Sequence, residues 1–358
     1  MLFLYFLILL NTFKNSYNVF MNKILKFVIS LLLIFAFVNS MTTSIAAERK
    51  QFNIGTGFIG SSMHSLGTVL AKNMQKELRM RVTARPYVGP SAFLPMVNNG
   101  ELEMGLSSMG EASAAYNGID TEAKKNVRTV ARLFAMPFAF IVKKDSGIET
   151  ISDLKGKRVV LDFVAAGALT SMSQTMLDAA GLDRNDIEVI TVSGVGQGIE
   201  AVVEGNADAA PGSVSMAAVR KADATVGVKV LTLASDRFEE RLATSSSSDI
   251  RPLMVGAGTY PGVETETRIF ALDIFLVVPS TLDDNDVVKI LDVLHANWDE
   301  MQQEFNGLSG SSPAEFVHSS QTVPYHPAAI DYYKNGNGVA KWDDVAEAPN
   351  NELVDRWQ

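Results

Sequence analysis

Two long, mostly apolar runs, FAFIVK at 138–143 and LDIFLVV at 272–278, stand about 130 residues apart. Runs of this kind without polar alternation read as strands covered on both faces. Around and between them, shorter strands alternate with helical periodicity. Phe52–Ile54, Arg81–Tyr87, Leu102–Leu106 and Val127–Leu133 read as strands before the first run, with helices over 62–79 and 91–98. Met63, Leu66, Leu70, Ala71, Met74 and Leu78 share one face of the first helix. Between the two runs come a strand near 158–161, a helix over 168–180, and strands at 187–192, 207–210 and 228–233, with helices over 198–204 and 214–221. After the second run, 283–303 reads as one helix, and PYHPAAIDYYK (324–334) as a Pro-bounded loop entering another.

Strands alternating with helices predict an α/β chain with mostly parallel sheets. Beyond the leader, some 310 residues exceed what one core usually supports. The two runs therefore predict a bilobal body, two α/β lobes joined by two crossing strands, with the second lobe inserted in the first. Residues 48–142 and 273–358 form lobe 1, and 143–272 form lobe 2. The ligand cleft is expected between them, at the carboxyl ends of both sheets.

The stretch FNIGTGFIGSSMHS contains a literal G-x-G-x-x-G at Gly55, Gly57 and Gly60. A dinucleotide fingerprint also needs an acid at the end of the next strand, where this chain has Thr83, Ala84 and Arg85. Other chemistries are equally incomplete. GLSSMG (105–110) lacks the glycine that would close a nucleophile elbow. The four histidines, 64, 295, 318 and 326, show no metal-ligand spacing, and DDND (283–286) lacks the pattern of a calcium loop. No metal, cofactor or catalytic group is expected. Three glycine-rich segments lie directly before helices: GTGFIGSS (55–62), VAAGALTS (164–171) and AAPGSVS (209–215). Each would offer free N–H groups at a helix N-terminus, a setting for a carboxylate or phosphate that needs no side-chain cation.

Charge and composition narrow the partners. The formal charge is −9, with no basic tract, which disfavours nucleic acid and anionic membranes. From Met21 the chain reads as a signal peptide: Lys23 and Lys26, an apolar stretch over 27–38, and small residues at Ser44, Ala46 and Ala47. Residues 1–47 are thus read as a leader, with Met21 the expected start and 1–20 an over-extension. An exported chain with no cysteine carries no disulfide, no thiol nucleophile and no lipidation site, which suits the periplasm.

Over residues 50–335 the chain resembles the TAXI-type substrate-binding proteins of tripartite ATP-independent periplasmic (TRAP) transporters. The resemblance rests on IGTG (54–57), NNGELEMGL (98–106), AYNG (115–118), VKKDSGIETISDLKGKRV (142–159), AGTYPG (257–262) and PYHPAAIDYYK (324–334). It implies a type II bilobal receptor, monomeric, that delivers a small organic acid to the small and large TRAP membrane subunits. Carried over position by position, it implies a pocket lined by Gly57, Phe58, Ile59, Gly60, Ser61 and His64. Ser107 and Ser108 follow the third strand; Ala166, Gly167, Leu169 and Thr170 precede the 168–180 helix. Ala210, Pro211, Gly212 and Ser213 complete the set from a turn at 210–213. The chain departs from the family pattern at Phe58, where relatives have glycine, and at Met63-His64, where they have paired tyrosines. Phe58, Ile59, Met63 and Leu169 predict a more apolar wall, suited to a monocarboxylate or to a dicarboxylate with an apolar body. His64 reads first as a capped or packed histidine and second as a donor to the ligand; Arg85 and Arg132 read first as surface or structural ion pairs and second as carboxylate partners. Two alternatives use the same fold: a sensory module feeding a kinase or chemoreceptor, and an enzyme.

Overall fold

Parallel pairing sets the first part of the chain. In a computed structural model, which describes residues 51–357 apart from 120, 165–166, 234–249 and 319–320, together with 21 and 23, the chain opens on β1 (Gln51–Thr56). β1 pairs in parallel with both β2 (Arg81–Pro86) and β3 (Met104–Ser108). The crossovers are α1 (Ser62–Leu78) and α2 (Pro90–Asn98), with Pro90 in the first turn of α2, where its missing N–H costs nothing. α3 (Met109–Asn117) then leads toward β4 (Val127–Lys143). The second part repeats the plan. β5 (Arg158–Phe163) pairs in parallel with β6 (Glu188–Val192) and β7 (Ala209–Ser213). These are linked by α4 (Gly167–Ala179) and α5 (Val195–Glu204), and followed by α6 (Ala217–Val226), β8 (Val228–Val230) and β9 (Ile250–Val255).

The two parallel groups share the long strands in the middle. β10 (Thr267–Pro279) runs antiparallel to β4, and the order is β2-β1-β3-β10-β4-β7-β5-β6. The carboxyl half of β10, from Ile274, pairs with β3, while its amino half pairs with β9. Conversely, β4 pairs with β7 and β8 only from Phe138 onward. The strands expected at 127–133 and 138–143 are therefore one strand that crosses from one group to the other. Its apparent gap holds Pro137, whose carbonyl still accepts from the N–H of Val214.

At this crossover lies a buried ion pair. Arg132 donates from Nε (2.9 Å) and Nη2 (2.7 Å) to Oδ1 of Asp273, and from Nη1 to Glu315 (3.0 Å). Arg132 and Asp273 are each about 97% buried, with Arg251 of β9 3.6 Å from the same oxygen. Arg132 is thus committed to the frame and is no ligand partner.

The remaining helices cover the β4–β10 face. The helix expected over 283–303 breaks at Asn297 into α7 (Asp284–Ala296) and α8 (Trp298–Glu304). α9 (Pro327–Lys334) comes from the PYHPAAIDYYK segment, whose tyrosines fasten it. Tyr333 donates to the carbonyl of Val130 (2.9 Å), Tyr332 to Asp292 (2.9 Å) and Tyr325 to the carbonyl of Phe316 (2.8 Å). α10 (Asp344–Asp355) and β9 were not legible in the sequence. The leader, apart from 21 and 23, and the TSSSSD loop at 244–249 lie outside the described residues.

The glycines of IGTG have a packing role here. A Cβ on Gly55 would stand 2.7 Å from Phe93 of α2, and one on Gly105 of β3 2.5 Å from the same ring. Phe93 therefore lies flat over β1 and β3. In the frame itself, removing one member of a buried pair leaves an uncompensated charge, which typically costs about 3–5 kcal/mol. Asp273→Ala should lose about that much stability in urea unfolding, and Arg132→Met with Asp273→Leu together should recover most of it.

Candidate functional site

Six strand ends converge on one cleft. In the first group the carboxyl ends of β3, β1 and β2 lie in that order outward from the shared strands; in the second, those of β7, β5 and β6. The side nearest β10 and β4 is its hinge end, and the side nearest β2 and β6 its outer end.

After β1 the chain turns at Gly60, with φ of +95° and the N–H of Ser61 bonded to the carbonyl of Phe58 (3.0 Å). Ser61 caps α1, its Oγ accepting from the N–H of His64 (3.1 Å). Nδ1 of His64 is 2.9 Å from Oγ1 of Thr56, and burial lowers its pKa, so the ring is neutral at pH 7. The loop also touches the second group. Oγ of Ser62 meets Oγ of Ser213 (2.9 Å) and of Ser215 (2.7 Å), which are 2.9 Å from each other. These buried hydroxyls have three protons for three bonds, and the ring closes on itself. The N–H of Ala217 donates to the carbonyl of Gly60 (3.1 Å) beside it.

At the outer end a cavity of about 650 Å³ opens between α5 and α6. Phe58, Ile59 and Val88 wall it from the first group; Ser193, Gly194, Gly196 and Gln197 wall it from the start of α5. Phe58 rests on Gly196, where a Cβ would come 3.2 Å from the ring. Gly194 caps α5 with no side-chain hydrogen bond, so the first-turn N–H groups of Val195, Gly196 and Gln197 have no intrahelical partner. Glu200 and Glu204 lie farther along α5, across from Lys221 of α6.

The expected pocket residues thus separate. Phe58 and Ile59 line the cavity, while Gly57, Gly60, Ser61 and His64 shape the loop behind it. Ser107 and Ser108 stand at the hinge end, Ser107 donating to the carbonyl of Ser108 (3.0 Å). Thr170 turns back to accept from the N–H of Phe163 (2.9 Å), and Leu169 packs against the core. Gly167 opens α4, and Ala166 lies outside the described residues. The turn expected at 210–213 is instead the end of β7. Ala210, Pro211 and Gly212 pair with Ile141, Phe140 and Ala139, and the turn follows Ser213. Arg85 is exposed.

Sequence reasoning missed the SGVGQG turn at 193–198. Its signal was the same as at the three segments it did find, a glycine-rich stretch between a strand and a helix. It also missed Glu111. This residue sits in the first turn of α3, its N–H held by Oγ of Ser108 (3.4 Å). Its Oε2 is buried and, among the described residues, has no hydrogen-bond partner. Burial pushes the carboxyl up to about 7, outweighing the helix N-terminus, which favours the anion.

The sign of the linkage follows from that shift. Below the ordinary Glu value near 4.5 both folded and unfolded states hold the proton, and Glu111 has no effect. Between there and pH 7 only the folded state keeps it, so stability falls as pH rises; above pH 7 the loss is complete, at about 3 kcal/mol. Glu111→Gln should therefore be little changed relative to wild type at pH 4 and more stable by about 2–3 kcal/mol at pH 8, read from urea midpoints at the two pH values.

Comparison with known proteins places this geometry. A solved periplasmic transporter protein aligns over 87% of this chain and 95% of its own, at 13% identity and a TM-score of 0.51. The periplasmic aliphatic sulphonate binding protein of Escherichia coli aligns over 86% of each chain, at 16% identity and a TM-score of 0.46. An ancestral arginine-binding protein solved with arginine aligns over 72% of this chain and 98% of its own, at 18% identity and a TM-score of 0.45. The first of these shares the α/β fold of this chain. A family model matches residues 54–336, essentially everything from the first strand to the end of α9, and the chain belongs to the NMT1-like family.

Proposed function

We propose that this protein is a periplasmic solute receptor that captures a small organic acid between its lobes and delivers it to a TRAP-type membrane permease, as a TAXI-type binding subunit. One observation carries the reading. Parallel strand ends from two groups face each other across a cleft ringed by first-turn N–H groups, and among the described residues no arginine or lysine is buried in it unpaired. Such a lining receives an anion through backbone dipoles.

In this reading residues 48–142 with 273–358 act as one lobe and 143–272 as the other, hinged where β4 and β10 cross. The carboxylate docks on the helix starts, and the lobes close over it by bending those two strands. Phe58, Ile59 and Val88 cover an apolar body, at about 25 cal/mol per Å² removed from water. The serine ring and the Ala217–Gly60 hydrogen bond are the contacts that hold the closed form. Gly57, Gly60, Ser61 and His64 keep the loop in shape, with His64 acting as a neutral group held by Thr56. The solute leaves chemically unchanged, which separates the receptor from an enzyme on this fold. A sensory role would keep the same cleft but dock to a kinase or chemoreceptor instead of a permease.

The test is a thermal-shift and calorimetric screen of C3–C8 monocarboxylates, their dicarboxylate counterparts, amino acids and nucleotides. At 100 times Kd a ligand adds about 2.7 kcal/mol, enough to raise Tm by about 4 °C. An organic acid should produce that shift and be recovered intact by mass spectrometry, and Gly196→Leu, which drives Phe58 off α5, should abolish it. Shifts with nucleotides alone, or recovery of an altered acid, would contradict the reading.

A further inference from the structure

At the carboxyl end of β3 one ionisable side chain, half-buried as a whole, keeps a buried carboxyl oxygen without a hydrogen-bond partner among the described residues. Glu111 is the third residue of the nine-residue helix α3, which starts directly at the carboxyl end of β3. Met109, Ala112 and Tyr116 of this helix turn into a core of Phe93, Leu94, Phe275 and Val323, and Glu111 projects off that face. Side chains in an α-helix tilt toward its N-terminus, so a first-turn glutamate reaches back to the strand end and hence to the hinge end of the cleft. Two further donors sit there: the N–H groups of Met109 and Gly110, which a first turn leaves without intrahelical partners. No ion pair involves Glu111 among the described residues, and its Oε2 is sealed and unbonded. A fold that buries such an oxygen without a partner bears a desolvation cost, and an incoming ligand atom can relieve it.

Resting on the organic-acid reading above, we propose that Glu111 is a specificity-determining residue that meets the ligand's carboxylate as a neutral carboxylic acid, donating its proton as a hydrogen bond, so that binding is coupled to proton uptake. The helix start supplies the other donors, the N–H groups of Met109 and Gly110. An ionised Glu111 would repel the same ligand.

The surroundings leave this titration to burial and ligand. α2 and β3 carry no ionisable side chain. Of the two on β10, Asp273 is paired with Arg132, and Arg268 is six positions from the β3-paired segment that begins at Ile274. Among the described residues, the 118–126 loop brings Glu122, Lys124 and Lys125. α10, which meets α3 where Tyr116 donates to the carbonyl of Leu353, brings Asp344, Glu347, Glu352 and Asp355, with Arg356 directly after it. None of these is bonded to Glu111, and desolvation is the one cause of its raised pKa.

The experiment measures calorimetric affinity from pH 6 to 8 on the full mature chain. The probe is the tightest-binding acid among the series from propionate to octanoate and their α,ω-diacids, with hexylammonium as the opposite-charge probe. The monoacids are ionised across the range, and the diacids, whose second carboxyl titrates higher, are compared from pH 7 to 8 only, so the pH dependence belongs to the protein. Affinity should fall about tenfold from pH 6 to 8, with one proton taken up per acid bound at pH 8. Glu111→Gln, which keeps a donor, should bind within about threefold of wild type at pH 6 and show a flat profile. As a readout that needs no variant, ¹³C NMR of labelled glutamate should show one carboxyl titrating near neutral pH without ligand and remaining protonated with it. A flat wild-type profile, or a Glu111→Gln profile parallel to wild type, would overturn the inference and leave the receptor reading standing. Hexylammonium binding that strengthens with pH would overturn it in favour of a cation. If no acid in either series binds, the organic-acid reading fails and the inference with it.

Discussion

Everything in this molecule hangs on the pairing of β4 with β10. Each strand is long enough to belong to two sheets at once, and each changes partners partway along. The Arg132–Asp273 pair stands at this change of partner, its guanidinium also reaching Glu315 in the covering layer. A buried pair of this kind contributes little net stability compared with an apolar packing, but it penalises any other register of the two strands. Register matters here because a slip of one residue would exchange the two faces of strands that are buried on both. Among the described residues the same two strands are the only long elements that run through both groups, which makes them the natural place for bending.

Once the frame is fixed, the cleft's chemistry follows from strand direction. Parallel strands end together, and each is followed by a helix whose first N–H groups have no internal partner. The result is a cleft rich in backbone donors, with Glu200, Glu204 and Lys221 the charged side chains of its outer cavity. Its hydroxyls are largely satisfied from within: Ser62, Ser213 and Ser215 bond to one another, and Thr170 bonds to the backbone of Phe163. Backbone amides and the Oε2 of Glu111 are among the groups with unused capacity. The apolar portion is provided separately, by Phe58 on Gly196 and by Ile59 and Val88 at the outer end.

The layered fold was legible in the sequence because it is written in period: apolar runs at 138–143 and 272–278, and the stripe from Met63 to Leu78. Boundaries were less legible where a residue serves two purposes. Pro137 looks like a break between strands, but in an antiparallel pair a carbonyl suffices to hold the neighbour, and β4 runs through it. Pro211 and Gly212 look like a turn, yet they lie in β7, where Gly212 leaves room for Ile199, Ile141 and Met216. The glycines of GTGFIG signal a tight turn at Gly60, but Gly55 is there to admit Phe93, a contact with a residue 38 positions away that no local pattern reveals. Glu111 was hidden for the reverse reason. A glutamate three residues after Ser108 reads as an ordinary helix cap, and only its burial sets it apart.

The most direct measurement of the central claim is the identity of what the cleft carries. Protein purified from its native compartment without denaturation, then unfolded in acidified methanol, should release a small organic acid at close to one per chain, detected by mass spectrometry and absent from the Gly196→Leu variant. Release of a nucleotide, or of an amine with no carboxylate, at the same stoichiometry would contradict the account.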